Sequence, residues 1–374
     1  MNPKTAIEQR IRAETDSLLA LSHRIHAHPE LAFEEVRASA WVAAALSDAG
    51  FDVEHGCYDL PTSVRATVGS GPVHVAICAE YDALPDIGHA CGHNVIAAAA
   101  VGAGLGLARL ADDLGLTVTV LGTPAEEGGG GKVLMLERGA FDGMDAAMMV
   151  HPAAVEMAAM PGSAVAQVDV AYRGKPAHAG AYPQLGINAA DAMTVAQVSI
   201  GLLRQQTTAG DRIHGVVTEA GSAANVIPDT SRGRWIVRTE SLDELAALKE
   251  RVTRCFEAGA VATGCELSLS PVAPDYADLR PDPALLTLYR ANAEALGRVF
   301  PDLPRGVVGA ATDMGNVSHA IPSIHPMLGL DCAPAVNHQP EFTAACVTPA
   351  ADRAVLDGAV AMAWTAADLA LNMR

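Results

Sequence analysis

The sequence predicts an α/β domain with a mainly parallel sheet between helices, interrupted by an inserted α+β domain. Three observations carry this prediction. The chain has 374 residues, more than one hydrophobic core usually serves, so two domains are expected. Strand-like and helix-like stretches alternate up to about residue 160, the order that builds a parallel sheet. Near Met160 the pattern changes to strands of alternating polarity with two long helices among them.

The elements follow in order. Residues 4–28 place Ile7, Ile11, Leu18, Leu21 and Ile25 near helical spacing and predict an amphipathic helix. "EEVRASAWVAAALSDAG", residues 34–50, reads as a second helix that Gly50 ends. "SVRATV" and "VHVAICA" are short β-rich runs, and a helix is expected from about 93 to 113. Its apolar stretch, 95–108, is too short to span a bilayer and is rich in Ala and Gly, so it reads as buried. "LTVTVLGT" (116–123) is a buried strand, "GGKVLMLERGAF" a helix after a glycine run, and "DAAMMVH" (145–151) a further strand. Then "SAVAQVDVAYRG" alternates as a half-exposed strand does, and a helix follows over about 188–207. "RIHGVVTEAG" and "SRGRWIVRTE" are strands, "LDELAALKERVTRCFEAGA" a helix and "CELSLSPV" a last strand. This β-α-β-β-α-β order is the ferredoxin-like split βαβ arrangement. A helix and strand-loop segments resume from about 280. The expected division is 1–162 and 278–374 for the α/β domain and 163–277 for the insertion.

Composition narrows the function. Half of the chain is hydrophobic, which excludes a disordered chain, and the net charge of −18 argues against nucleic acid, whose phosphates would repel it. The start, "MNPKTAIEQRIRAETDS", is charged and lacks an apolar targeting core, so a cytoplasmic location without a membrane partner is expected. The seven cysteines (57, 78, 91, 255, 265, 332 and 346) are odd in number and irregular in spacing, which favours reduced, mostly buried thiols.

The chemistry-bearing residues cluster after predicted strands, at the sheet edge where sites of open α/β folds collect. "AEYDALP" follows "VHVAIC", "HACGHN" precedes a helix, "TPAEEGGGG" follows "VTVLGT" and "MMVHP" ends a strand. Cys91 and His93 form a Cys-x-His pair; Glu126 and Glu127 are adjacent carboxylates; His151, and His338 in "VNHQPEF", supply further imidazoles. If one glutamate binds metal, its neighbour can face the bound water as general base. A thiolate, imidazoles and a carboxylate suit Zn²⁺ best on softness, with Mn²⁺ or Co²⁺ as alternatives. Singly, each piece also has a plain structural reading: packing for the Cys-x-His pair, a helix N-terminus for the glutamates, a strand end for His151. Their joint occurrence at successive strand ends favours the metal reading. A c-type haem needs Cys-x-x-Cys-His, which is absent. A Cys91 nucleophile with His93 or His151 as base is the other catalytic alternative, and leaves the glutamates without a role.

Taken together and in order, "HRIHAHPELAFEE", "AEYDALPDIGHACGHN", "GTPAEEGGGGK", "MMVHP", "RGKPAHAGAYPQLGINAADA", "NVIPD" and "NHQPEF" resemble the M-twenty metallopeptidase and amidohydrolase family over nearly the whole chain. The similar branch contains hippurate hydrolases, indole-acetyl-amino-acid hydrolases and aminobenzoyl-glutamate hydrolases. The resemblance implies a catalytic domain of the di-metal exopeptidase type with an inserted lid and dimerisation domain, two divalent metal ions, a homodimer and a small amide or dipeptide substrate. It implies that Cys91, His93, Glu127, His151 and His338 are metal ligands and that Glu126 is the catalytic base. Asp82 resembles the carboxylate that orients a ligand, and His178 the lid histidine that reaches the partner's site to steady the oxyanion. Asn225 and Arg238 resemble lid residues that contact substrate, the arginine suiting a carboxylate. Two positions depart from the branch: Asn94 stands where Asp usually follows Cys-Gly-His, and Glu80 stands where the branch has the first Asp before "ALP". Both resemble a subgroup whose relatives act on dipeptides such as β-alanyl-lysine. Three functions follow for testing: an amidohydrolase releasing an amino acid, including a β-alanyl-type dipeptidase; a thiol hydrolase; and a non-catalytic metal-binding scaffold.

Overall fold

The computed structural model describes residues 2–302 and 310–373, in two compact units, Met1–Pro161 with Leu279–Arg374, and Gly162–Asp278. The first unit opens with α1 (Pro3–Ala13) and α2 (Thr15–His26), where the sequence predicts one helix. Glu14 separates them: its N–H donates to Ile11 and Arg12 carbonyls in a tightened last turn. Both halves still bury the predicted face, with Ile7, Ile11, Leu18, Leu21 and Ile25 all in the core. Each such side chain contributes about 2 kcal/mol on burial, so the break costs the packing little. Next come α3 (Val36–Asp48), β1 (Asp52–His55), β2 (Val64–Val68), β3 (Val73–Glu80), α4 (His93–Leu107), α5 (Ala111–Leu114), β4 (Leu116–Thr123), α6 (Gly131–Glu137), β5 (Ala146–Met148) and β6 (His151–Ala153). The strand expected over 145–151 is thus two strands.

The inserted unit runs β7 (Ala164–Arg173), α7 (Ala189–Leu203), β8 (Arg212–Ala220), β9 (Thr230–Thr239), α8 (Leu242–Thr263) and β10 (Glu266–Pro271). Its sheet has the order β10-β7-β9-β8 with every pair antiparallel, the split βαβ topology expected from the sequence. Strand β9 buries alternate residues, so Trp235 and Val237 share a core with Tyr172 of β7 and Phe256 of α8. Ser241 and Glu244 close a capping box on α8, and Gly264 at φ 81° ends it.

The first unit then resumes with α9 (Pro283–Ala295), α10 (Met314–Ala320), β11 (Ser323–Ile324), β12 (Met327–Gly329), α11 (Pro340–Ala345) and α12 (Pro349–Asn372). Its main sheet has the order β1-β2-β4-β3-β5-β11. The β4-β3-β5-β11 half is parallel, while β1 and β2 form an antiparallel flank. Strand β6 leaves this sheet and pairs with β12 instead. Every residue of α4 is buried, against β3 on one side and α12 and α2 on the other. A Cβ at Gly102 would lie 2.8 Å from the Ala359 methyl and one at Gly106 2.7 Å from Ile11 Cδ1, so small residues set how closely α4 approaches its neighbours. Among the described residues only α12 is long and apolar enough to cross a membrane, and most of it is buried against the core.

Candidate functional site

The C-terminal ends of β3 and β4, the start of α4, β6 and the 337–338 loop bring seven of the sequence-predicted residues together. Cys91 Sγ lies 3.4 Å from His151 Nε2. His93 Nε2 lies 3.8 Å from Glu126 Oε2, and His338 Nε2 lies 3.3 Å from Glu127 Oε1. The ligand atoms of Cys91, His93 and His151 lie within 4.8 Å of one another, and so do those of Cys91, Glu127 and His338. Cys91 is common to both groups, and His93 belongs also to a third, with Glu80 and Glu126.

Local structure explains why these side chains converge. Gly92, between Cys91 and His93, caps α4 at φ 79°, and a Cβ there would lie 2.3 Å from Pro152 Cγ. Only glycine allows the Cys-x-His pair to sit this close to β6. Asp82 joins two of the groups: Oδ1 accepts from His93 Nδ1 at 2.9 Å and Oδ2 accepts from the Glu127 N–H at 2.8 Å. That bond places the His93 proton on Nδ1 and leaves Nε2 facing the cluster. His151 is oriented the same way, its Nδ1 donating to the Pro152 carbonyl at 2.8 Å. The His338 N–H donates to the Ala90 carbonyl, which ties its loop to the "HACGHN" turn.

Crowded buried carboxylates shape the electrostatics. Burial, then Glu80 and Glu127, pushes Glu126 well above the usual carboxylate range. Burial would raise Glu127 too, but the His338 hydrogen bond and the nearby His93 bring it below its ordinary value. Burial and the two glutamates push the Cys91 thiol far up, so protein groups alone do not make it a ready nucleophile. Burial and then His325 hold His151 down, to about 3, as a neutral imidazole. Carboxylates around a neutral His151, with His93 held against burial above its ordinary value by Asp82 and Glu80 and with a thiol between them, form a donor set that divalent cations would neutralise. The residues present therefore fit such ions.

Several contributors have no role in the sequence reading, which marks Glu80 only as a departure from the branch. Glu80, 3.4 Å from His93 Nε2, is fully buried and pairs at 2.5 Å with the equally buried Lys132, which also pairs with Asp313 at 2.5 Å. The glycine run before Lys132 draws notice, but nothing in "ATDMGN" marks Asp313. Glu35 is also buried; burial, then Asp82, raises it to about 7. The departure at Asn94 has a structural basis: its amide donates to Ser22 Oγ at 2.9 Å and the Cys346 carbonyl at 3.0 Å, bonds a carboxylate cannot give. His89, outside the cluster, is buried and stacks on His26.

His178, Asn225 and Arg238 belong to the inserted unit. His178 is exposed, and its Nδ1 accepts from the N–H groups of Gly180 and Ala181. The Asn225 carbonyl accepts from the Ala179 N–H, which brings Asn225 beside the His178 loop. Arg238 lies on β9 opposite Arg212, and burial lowers its pKa.

The chain is 38% identical to the Xaa-Arg dipeptidase of Mus musculus over 98% of its own length and 88% of that protein. It is 30% identical to one of the subunits of the p-aminobenzoyl-glutamate hydrolase of Escherichia coli, over 69% of this chain and 58% of that one. The fold matches the crystal structure of a dinuclear metal-binding peptidase of the M20 family from Bacillus subtilis, with a TM-score of 0.70 and 23% identity over 96% of this chain and 99% of that one. The model of peptidase family M20/M25/M40 matches residues 76–355, and the chain belongs to that family.

Proposed function

We propose that the protein is a metal-dependent amidohydrolase that releases a free amino acid from a dipeptide, with Glu126 as general base. The observation that carries this reading is the convergence of Cys91, His93, Glu126, Glu127, His151 and His338 at one sheet edge. Two divalent cations held by Cys91, His93, Glu127, His151 and His338 would supply Lewis acidity and an acidified water, Zn²⁺ being the best match to the donors. Glu126, at the edge of this set with Oε2 3.8 Å from His93 Nε2, takes the proton as water attacks the amide carbon. It then returns that proton to the leaving amine, so no net proton is lost. Asp82 keeps both His93 and the Glu127 backbone in place during these transfers. Arg238 receives the substrate carboxylate, and Asn225 takes part in substrate recognition. His178 steadies the oxyanion in a homodimer formed through the inserted domain.

A dipeptide with a basic C-terminal residue is supported by the similarity to the mouse Xaa-Arg dipeptidase and by the net charge of −18. The E. coli relative favours aminobenzoyl-glutamate or an N-acyl amino acid as the second reading. A hydrolysis screen over Xaa-Arg and β-alanyl dipeptides, N-acyl amino acids and aminobenzoyl-glutamate, with Zn²⁺, Mn²⁺ or Co²⁺ added, separates the two. Chelation should abolish turnover and divalent metal should restore it, which a Cys91 thiol hydrolase would not require. Glu126→Gln should lose about 10²–10⁴-fold in kcat while metal stays bound. Unchanged turnover in that variant refutes the base assignment, and no hydrolysis by the metal-loaded wild type refutes the enzyme reading in favour of a scaffold.

A further inference from the structure

Glu35 lies far in sequence from the glutamate pair, yet its side chain reaches the residue just before it. The carboxylate is fully buried. Its Oε1 accepts from the Ala125 N–H at 2.8 Å and from the Phe33 N–H at 2.9 Å. Its Oε2 accepts from Thr62 Oγ1 at 2.7 Å. Both residues held by Oε1 are non-glycine and left-handed, Ala125 at φ 58° and Phe33 at φ 64°. Such a conformation costs of order 1–3 kcal/mol for a residue with a Cβ and persists only when the surroundings hold it. Ala125 is where the chain turns after β4, and its geometry sets the direction in which Glu126 and Glu127 depart. The same turn is packed from outside: a Cβ at Gly129 would meet the Ala125 methyl at 2.5 Å and the Phe33 ring at 2.7 Å. On the other side Tyr81, between Glu80 and Asp82, donates its hydroxyl to the Thr62 carbonyl. One carboxylate therefore links the "HPELAFEE" loop, the Thr62 turn beside Tyr81 and the turn that carries the glutamates.

We propose that Glu35 is a positioning residue for the general base: it holds Ala125 in the left-handed conformation and so aims Glu126. The inference rests on Glu126 being that base. It concerns hydrogen-bond acceptance, so the side-chain carbonyl of Gln serves in its place, accepting both N–H groups while Thr62 turns to accept from the amide. Glu35→Ala and Glu35→Gln are compared with wild type as the full-length, metal-loaded protein, by kcat, KM, metal per chain and amide hydrogen exchange of the 120–131 segment. Glu35→Ala is expected to expose the Ala125 amide to fast exchange and to lower kcat about 10²-fold with KM nearly unchanged, kcat being compared at saturating metal because Glu127 leaves the same turn. Glu35→Gln is expected to keep both the protection and, within about threefold, the kcat of wild type. Should Glu35→Ala fail to fold, Glu35→Asp shortens the reach by one methylene and is expected to lower kcat more than about tenfold. An unchanged kcat in Glu35→Ala or, where that variant does not fold, in Glu35→Asp overturns the proposal. So does unaltered Ala125 exchange in Glu35→Ala, or a loss in Glu35→Gln as large as in Glu35→Ala. The exchange measurement needs no substrate, so failure of the base assignment, read from Glu126→Gln, stays distinguishable from failure of this one.

Discussion

Replacing Lys132 by Met tests whether the buried charges behind the cluster act as one unit. The Lys132 ammonium is inaccessible to solvent and sits 2.5 Å from Glu80 Oε1 and 2.5 Å from Asp313 Oδ1. Its backbone N–H also donates to Asp313 Oδ2 at 2.8 Å. Burial alone would lower its pKa, but Asp313 and Glu80 hold it well above the ordinary lysine value, so it stays charged. Met keeps an unbranched side chain out to Cε and removes the ammonium, with its charge and its N–H donors. Asp313 is then left buried without its ammonium partner and Glu80 keeps only His93 nearby, 3.4 Å away, and removing one partner of such a pair costs about 3–5 kcal/mol. For a unit of this size each kcal/mol shifts Tm by about 2–4 °C, so calorimetry should show a drop on the order of 10 °C. The drop should depend on pH. Burial and Glu80 already keep Asp313 above the usual carboxylate range, and without the ammonium both carboxyls bind protons more tightly folded than unfolded. A raised folded pKa contributes stability below the unfolded value of about 4 and loses it as pH rises through the folded value. The gap between variant and wild type should therefore be smallest near about pH 4 and widen toward neutrality. A Tm within about 2 °C of wild type at neutral pH, or a gap that ignores pH, refutes the reasoning.

Three further outcomes are expected. Gly92→Ala puts a Cβ 2.3 Å from Pro152 Cγ at a backbone φ of 79°, so metal per chain, measured by elemental analysis, should fall with kcat. His325 is buried, and burial holds its pKa down, to about 4. Below about pH 6.5 the unfolded chain binds a proton that the folded one refuses, so stability present above that pH is lost as pH falls toward 4, by about 3 kcal/mol. Urea unfolding of the chelated His325→Leu protein should show that much less acid sensitivity; an identical slope counts against it. Arg238→Ala should raise KM more than about tenfold for a dipeptide with a free carboxylate but not for its C-terminal amide, and equal effects on the two would remove Arg238 from carboxylate recognition.

The candidate cluster was largely legible because each donor sits at a local landmark. Cys91 and His93 open a helix, Glu126 and Glu127 follow a strong strand, and His151 precedes a proline where β6 begins. The split βαβ pattern of the insertion was legible for the same reason, since alternation of polarity is a local property. Less legible was the run 145–151, where apolar continuity hides that β5 and β6 pair with different sheets. The break at Glu14 was hidden too, because the apolar period continues across it.

The sequence by itself determined the α/β class, the inserted α+β pattern and the set of residues capable of metal and proton chemistry, because periodicity and donor type are written residue by residue. Only the tertiary structure decided which groups stand behind that set. Lys132 meets Asp313 across 181 positions, and Glu35 meets Ala125 across 90. Neither pairing has a local signature. Each exists because a charged or polar group carried into the core must find a partner there, and chain topology alone determines which partner lies within reach.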